Sequence, residues 1–180
     1  MMRKLTLTLA VLFFLSVGPS YAGDPVDIAG SSWFTDGKLK QLAKGVDPAS
    51  GPASLDLFFG PQTIFVQSDE IVLGPDEFAA VDDFEDDYLI FWGTYAANKK
   101  GKPKIRLFGD SRLSRQYERL FDENVVDQVP IDKIKIKAKP KNKNGVESIK
   151  VTFKIVMRII THDRRFAKVT QRYKATGGRL

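Results

Sequence analysis

Lys133-Ile134-Lys135-Ile136-Lys137-Ala138-Lys139 alternates cationic and aliphatic side chains one residue at a time. Successive side chains of a strand point to opposite faces, so the lysines take one side and Ile134, Ile136 and Ala138 the other. After Asn144-Gly145, a pair suited to the positive φ angles of a tight hairpin turn, the pattern resumes. Ile149, Val151, Phe153, Ile155 and Met157 share one face, while Lys150, Lys154 and Arg158 share the opposite one. Lys168, Arg172 and Lys174 extend the same row onto a last strand. The stretch predicts a basic ribbon of antiparallel strands with an apolar underside.

Upstream, period-two runs separated by Gly- and Pro-containing turns continue back to residue 31. Strands are predicted over Ser31–Leu42, Ser54–Phe59, Thr63–Gln67, Glu70–Leu73, Tyr88–Tyr95, Lys104–Phe108, Ile131–Lys139, Glu147–Thr161 and Arg165–Lys174. Asp36-Gly37 reads as either a hairpin turn or a bulge. One segment breaks the period. Leu113, Tyr117, Leu120 and Phe121 fall at i, i+4, i+7 and i+8, one face of a helix over about 111–123. Asp110 or Ser111 can cap its first amides. Tyr88-Leu89-Ile90-Phe91-Trp92 and Ile155–Ile160 are apolar on both faces, so both strands should be covered on both sides, with the helix on one of them. The implied fold class is mainly β: an antiparallel up-and-down meander of about eight strands, closed or nearly closed into a barrel, with one amphipathic helix. A two-sheet β-sandwich is the alternative.

The first 22 residues stand apart from this pattern. Arg3 and Lys4 precede an apolar run from Leu5 to Val17, Gly18 and Pro19 break it, and Ser20-Tyr21-Ala22 supplies small residues for cleavage. That is the layout of a secretory signal peptide. As a helix the run spans roughly 20 Å, short of the roughly 30 Å of membrane hydrocarbon. The expected organisation is a cleaved signal at 1–22 and a single β-barrel domain at 23–180, with no transmembrane span after cleavage. The expected location is the periplasm or extracellular space of a bacterium. The chain has no cysteine. This excludes disulfides, thiolate metal ligands, a cysteine nucleophile and lipid attachment at the mature N-terminus.

The net charge of +6 conceals a separation. Gly23 to Asn98 holds 3 Lys/Arg against 14 Asp/Glu, whereas Lys99 to Leu180 holds 23 against 8. Such halves attract each other or leave a bipolar surface. Lys133, Lys135, Lys137, Lys150, Lys154 and Arg158 form a candidate anion-binding face for anionic lipid or glycan. Nucleic acid is disfavoured, because the polar face carries no aromatic residue among these charges until Phe166. The run Asp82-Asp83-Phe84-Glu85-Asp86-Asp87, with Asp76 and Glu77, reads as a solvated loop complementary to the lysines.

Gly30-Ser31-Ser32-Trp33 opens the first strand, and Arg172 lies late in the last. In these features, in mature length and in strand number the chain resembles the lipocalins, up-and-down barrels that hold small apolar ligands. The spacing here is Gly-x-x-Trp where that family has Gly-x-Trp, and the helix precedes the last three strands instead of following the eighth. The resemblance implies a structural Trp33–Arg172 pair and non-enzymatic binding of an apolar or amphipathic small ligand. Trp33, Phe59, Tyr88 and Trp92 lie on strands whose faces can line such a cavity or fill a core. An envelope interaction module acting through the basic face is the alternative function, and a carboxylate-dependent hydrolase the third. His162 reads as a surface turn residue, and no nucleophile elbow, phosphate loop or dinucleotide fingerprint occurs. No catalytic residue, metal or cofactor is assigned.

Overall fold

The computed structural model describes residues 27–44, 48–68, 89–98 and 102–180. The signal sequence at 1–22, the strand predicted at 70–73, the acidic run at 82–87 and Tyr88 lie outside the described residues. Along the chain come β1 (Ser32–Ala43), β2 (Ala49–Phe59), β3 (Thr63–Ser68), β4 (Leu89–Ala97) and β5 (Pro103–Leu107). They are followed by α1 (Ser111–Glu118), β6 (Val126–Gln128), β7 (Ile131–Lys143), β8 (Val146–Thr161) and β9 (Phe166–Arg179). All strands join one antiparallel sheet in the order β5-β4-β3-β2-β1-β9-β8, and β8 takes both β7 and the short β6 on its far side. The sheet is therefore a meander of 8 strands that curls into an incompletely closed barrel, and the two-sheet sandwich is not formed. The first and last strands pair from Trp33↔Arg179 to Ala43↔Val169. At the other edge β5 and β7 run close together without a hydrogen-bonded ladder.

Several strands outrun their predicted ends, and the prolines show why. Pro140 lies within β7, which pairs only with β8, so its missing donor is tolerated on an edge. Pro52 lies within β2 opposite Lys38, before β3 pairing begins at Leu55↔Ser68. Asp36-Gly37 is neither turn nor bulge, since β1 keeps continuous register through it with both neighbours. A Cβ at Gly37 would lie 2.0 Å from the Lys174 carbonyl oxygen, and one at Gly177 1.8 Å from that of Phe34. Glycine at these places lets β1 and β9 coil tightly against each other. The Asn144-Gly145 turn forms as expected, with φ of 54° and 80°, and sets Lys143 opposite Val146.

The helix ends at Glu118, earlier than its apolar spacing suggests. Tighter turns follow, in which Leu120 N–H donates to Tyr117 and Phe121 N–H to Glu118, so Leu120 and Phe121 remain buried beyond the helix proper. Asp110 is the N-cap and accepts from the amides of Arg112 and Leu113. The helix does not cover the outer face of the sheet. Its buried residues join the interior, where Tyr117 donates to Gln171 Oε1 at 3.0 Å. The Gln116 side-chain amide exchanges two hydrogen bonds with the backbone of Ile90, continuing the β4 ladder where β5 has departed.

Inward residues of every strand make one continuous core. Phe91 on β4 meets Phe153 on β8 edge to face with ring centroids 4.8 Å apart, and Phe153 contacts Tyr173 at 5.6 Å. β4 and β8 are each the second strand from the open edges, so that contact packs the interior between the two sides of the seam. Tyr117 and Leu113 fill one end, and Trp33, Phe59 and Ile28 fill the other.

Two stability measurements test this account. Gly177→Ala should lower the denaturation midpoint by the equivalent of about 1–3 kcal/mol through overpacking. Gly178→Ala, whose new carbon would lie 4.0 Å from its nearest neighbour, should be close to neutral. Burial, aided by nearby Tyr173, pushes the Tyr117 hydroxyl well above its usual 10.0. The unfolded chain then loses this proton first, so stability should fall as pH rises beyond about 10 toward the folded value. Tyr117→Phe should be less stable at neutral pH, yet show a shallower decline above pH 10 in unfolding titrations.

Candidate anion-binding face

The outer face of β7, β8, β9 and β1 carries the basic residues in register. Lys135 stands opposite Lys154, Lys154 opposite Arg172, and Arg172 opposite Lys40. At strand spacings of about 4.8 Å, this row of cations spans roughly 14 Å. A neighbouring row places Lys137, Thr152, Lys174 and Lys38 side by side, and the next begins with Lys139 opposite Lys150. Like charges directly opposite one another destabilise a sheet, so this wall is retained at a cost to the fold. Asp36 marks one corner. Toward the other, Asp132 accepts from Arg158 at 2.9 Å, which withdraws Arg158 from the set of available cations. The ion pairs Arg165–Asp163 and Arg179–Glu147 lie at turns or the barrel rim, and His162 Nδ1 lies 4.0 Å from Asp127.

The structure thus brings Lys133, Lys135, Lys137, Lys150 and Lys154 onto one exposed or half-buried outer face. Lys38 and Lys40 complete it from the opposite end of the chain. Their membership follows from β1–β9 pairing, which alternation within a strand does not reveal.

The aromatic candidates separate. Trp33 and Phe59 are buried, and the Trp33 indole donates to Ser31 Oγ at 2.7 Å while Ser31 donates to the Ile28 carbonyl. Both are core. Trp33 does not meet Arg172. It points inward opposite Arg179, whereas Arg172 is exposed on the outer face opposite Lys40, because the two have opposite strand parity. Trp92 also turns outward. Phe58, Phe65 and Trp92 are direct cross-strand neighbours, and Phe108 N–H donates to the Trp92 carbonyl. This aromatic row, with Phe58 at 38% and Phe65 at 42% exposure, crosses the wall opposite the cations. It accounts for the apolar residues on the outward face of β4.

Other polar groups are absorbed locally. His162 sits in an exposed turn, with Nε2 bonded to the Glu123 carbonyl. Glu118 and Asp122 share a cleft with it but accept from Val129 N–H and Asn124 N–H. Thr161 donates to Asp163, whose carboxyl is held below its usual range by that bond and by Arg165. No three His, Cys, Asp or Glu side chains among the described residues converge as a metal site requires.

Fold and face define a core-filled β-barrel with one cationic and one aromatic wall. No family model matches the chain, and no curated protein matches it. Among solved structures, the crystal structure of Ail, the attachment invasion locus protein of Yersinia pestis, is similar at 10% identity. The match covers 84% of this chain and 99% of that one, with a TM-score of 0.27, below the level that a shared fold requires.

If the cation row costs stability, Lys154→Gln should stabilise the barrel at low ionic strength by about 0.2–1 kcal/mol. The gain should shrink in high salt, where screening already relieves the repulsion. Denaturation midpoints at two salt concentrations measure both effects.

Proposed function

We propose that the protein is an exported, non-enzymatic interaction module that attaches through its cationic wall to an anionic surface of the cell envelope, with anionic lipid headgroups as the ligand. The observation that carries this reading is the in-register row Lys135–Lys154–Arg172–Lys40. Its side chains stand on a rigid sheet and share one face, so many headgroups can be met at once. Each such cation near an anionic membrane is worth about 1 kcal/mol. The signal-like residues 1–22 support export. An apolar ligand held in the lumen is the weaker reading, since Trp33, Phe59, Phe91 and Phe153 are buried in one core cluster. Carboxylate-dependent hydrolysis is weaker again, because Glu118 and Asp122 are committed to backbone amides of the adjoining turn.

Co-sedimentation with vesicles tests the proposal. Binding should be strong to phosphatidylglycerol-containing vesicles, absent from phosphatidylcholine alone, and should fall steeply between low and high salt. The double variant Lys154→Glu/Arg172→Glu should lose it. Equal binding to neutral vesicles, or no effect of charge reversal, would overturn the reading. Preference for a polyanionic glycan over vesicles would move the ligand to that class.

A further inference from the structure

We propose that the seam between β5 and β7 is a binding site for a single-chain amphipathic anion, an alkyl chain ending in a phosphate or carboxylate. The seam is a cleft of about 530 Å³ bounded by both edge strands, within the roughly 300–1,000 Å³ of small-molecule sites. Alternation dictates its chemistry. Ile105, Leu107, Ile134 and Ile136 turn inward to form an apolar floor, while Lys104, Arg106, Lys135, Lys137 and Lys139 turn outward along its two rims. No carboxylate is among its described lining residues. Gly109 closes one end, approaching Ile131 and Ile134 so nearly that a Cβ there would lie 3.3 Å from Ile131. The other end reaches Asn98 and Lys102.

The same charges weigh against closing the seam. Cations stand at successive outward positions on both sides, and their repulsion weakens any ladder across the gap. Each edge also keeps backbone donors and acceptors turned toward the gap. An anionic head placed between the rims removes the repulsion, and its chain covers the floor that closure would otherwise bury. Neither a bare anion nor a neutral or cationic amphiphile does both. The site goes beyond the cationic wall: it shares Lys135, Lys137 and Lys139 with it, but depends on β5 and on the apolar floor.

Calorimetric titration of the purified protein, below micellar concentrations, decides the matter. Dodecyl phosphate should bind one per chain, at least tenfold more tightly than inorganic phosphate, with slowed amide exchange confined to β5 and β7. Dodecyltrimethylammonium, with the same chain and opposite charge, should show no saturable binding. Lys104→Gln/Arg106→Gln should weaken dodecyl phosphate at least tenfold while leaving vesicle binding intact. Lys154→Glu/Arg172→Glu should do the reverse, so the seam and the wall fail separately. Equal affinity for inorganic phosphate, saturable binding of the cationic amphiphile, or exchange protection away from β5 and β7 would each overturn the seam assignment.

Discussion

The contact between Phe91 and Phe153 governs what the barrel can do. Two rings from the strands next to the two sheet edges meet edge to face at 4.8 Å, so the curled sheet packs around side chains. Tyr117 enters from the helix and satisfies the buried Gln171, while Trp33 is satisfied by Ser31 at the opposite end. Among the described residues the inward side chains form one core, and the exposed chemistry lies on the outer surface and along the open seam.

That surface is organised by a single geometric rule applied twice. Strand pleating sends alternate residues outward, and antiparallel register then sets outward residues of neighbouring strands beside one another. On β7, β8, β9 and β1 the rule assembles cations. On β2, β3 and β4 it assembles Phe58, Phe65 and Trp92, with Phe108 adjoining. The barrel is thus cationic on one side and aromatic on the other, although its net charge is modest. Along the rims of the open seam the cations continue the same outward rows on β7 and add those of β5.

Much of this was legible residue by residue. The Lys133–Lys139 alternation and the Asn144-Gly145 turn located the basic hairpin and its register, because both depend on local pleat and turn geometry. The helical spacing of Leu113 and Tyr117 located α1, although Leu120 and Phe121 are buried by turns after Glu118 and not by a longer helix. Trp92 was misread as interior because an apolar residue on a doubly apolar strand carries no label for its side. The Trp33–Arg172 pair failed on parity, which depends on how β1 and β9 align.

The sequence by itself determined the strands, the face each outward lysine would take, and the separation of charge along the chain, since period-two alternation is a property of one extended segment. Tertiary structure decided which faces became neighbours. Lys40 joins Arg172 only because the first and last strands pair, and Phe91 meets Phe153 only because the sheet curls. The seam lies between β5 and β7 because these strands, far apart in pairing order, are the two edges that curling brings together. Contacts of this kind depend on the curvature of the whole sheet, which no single segment encodes.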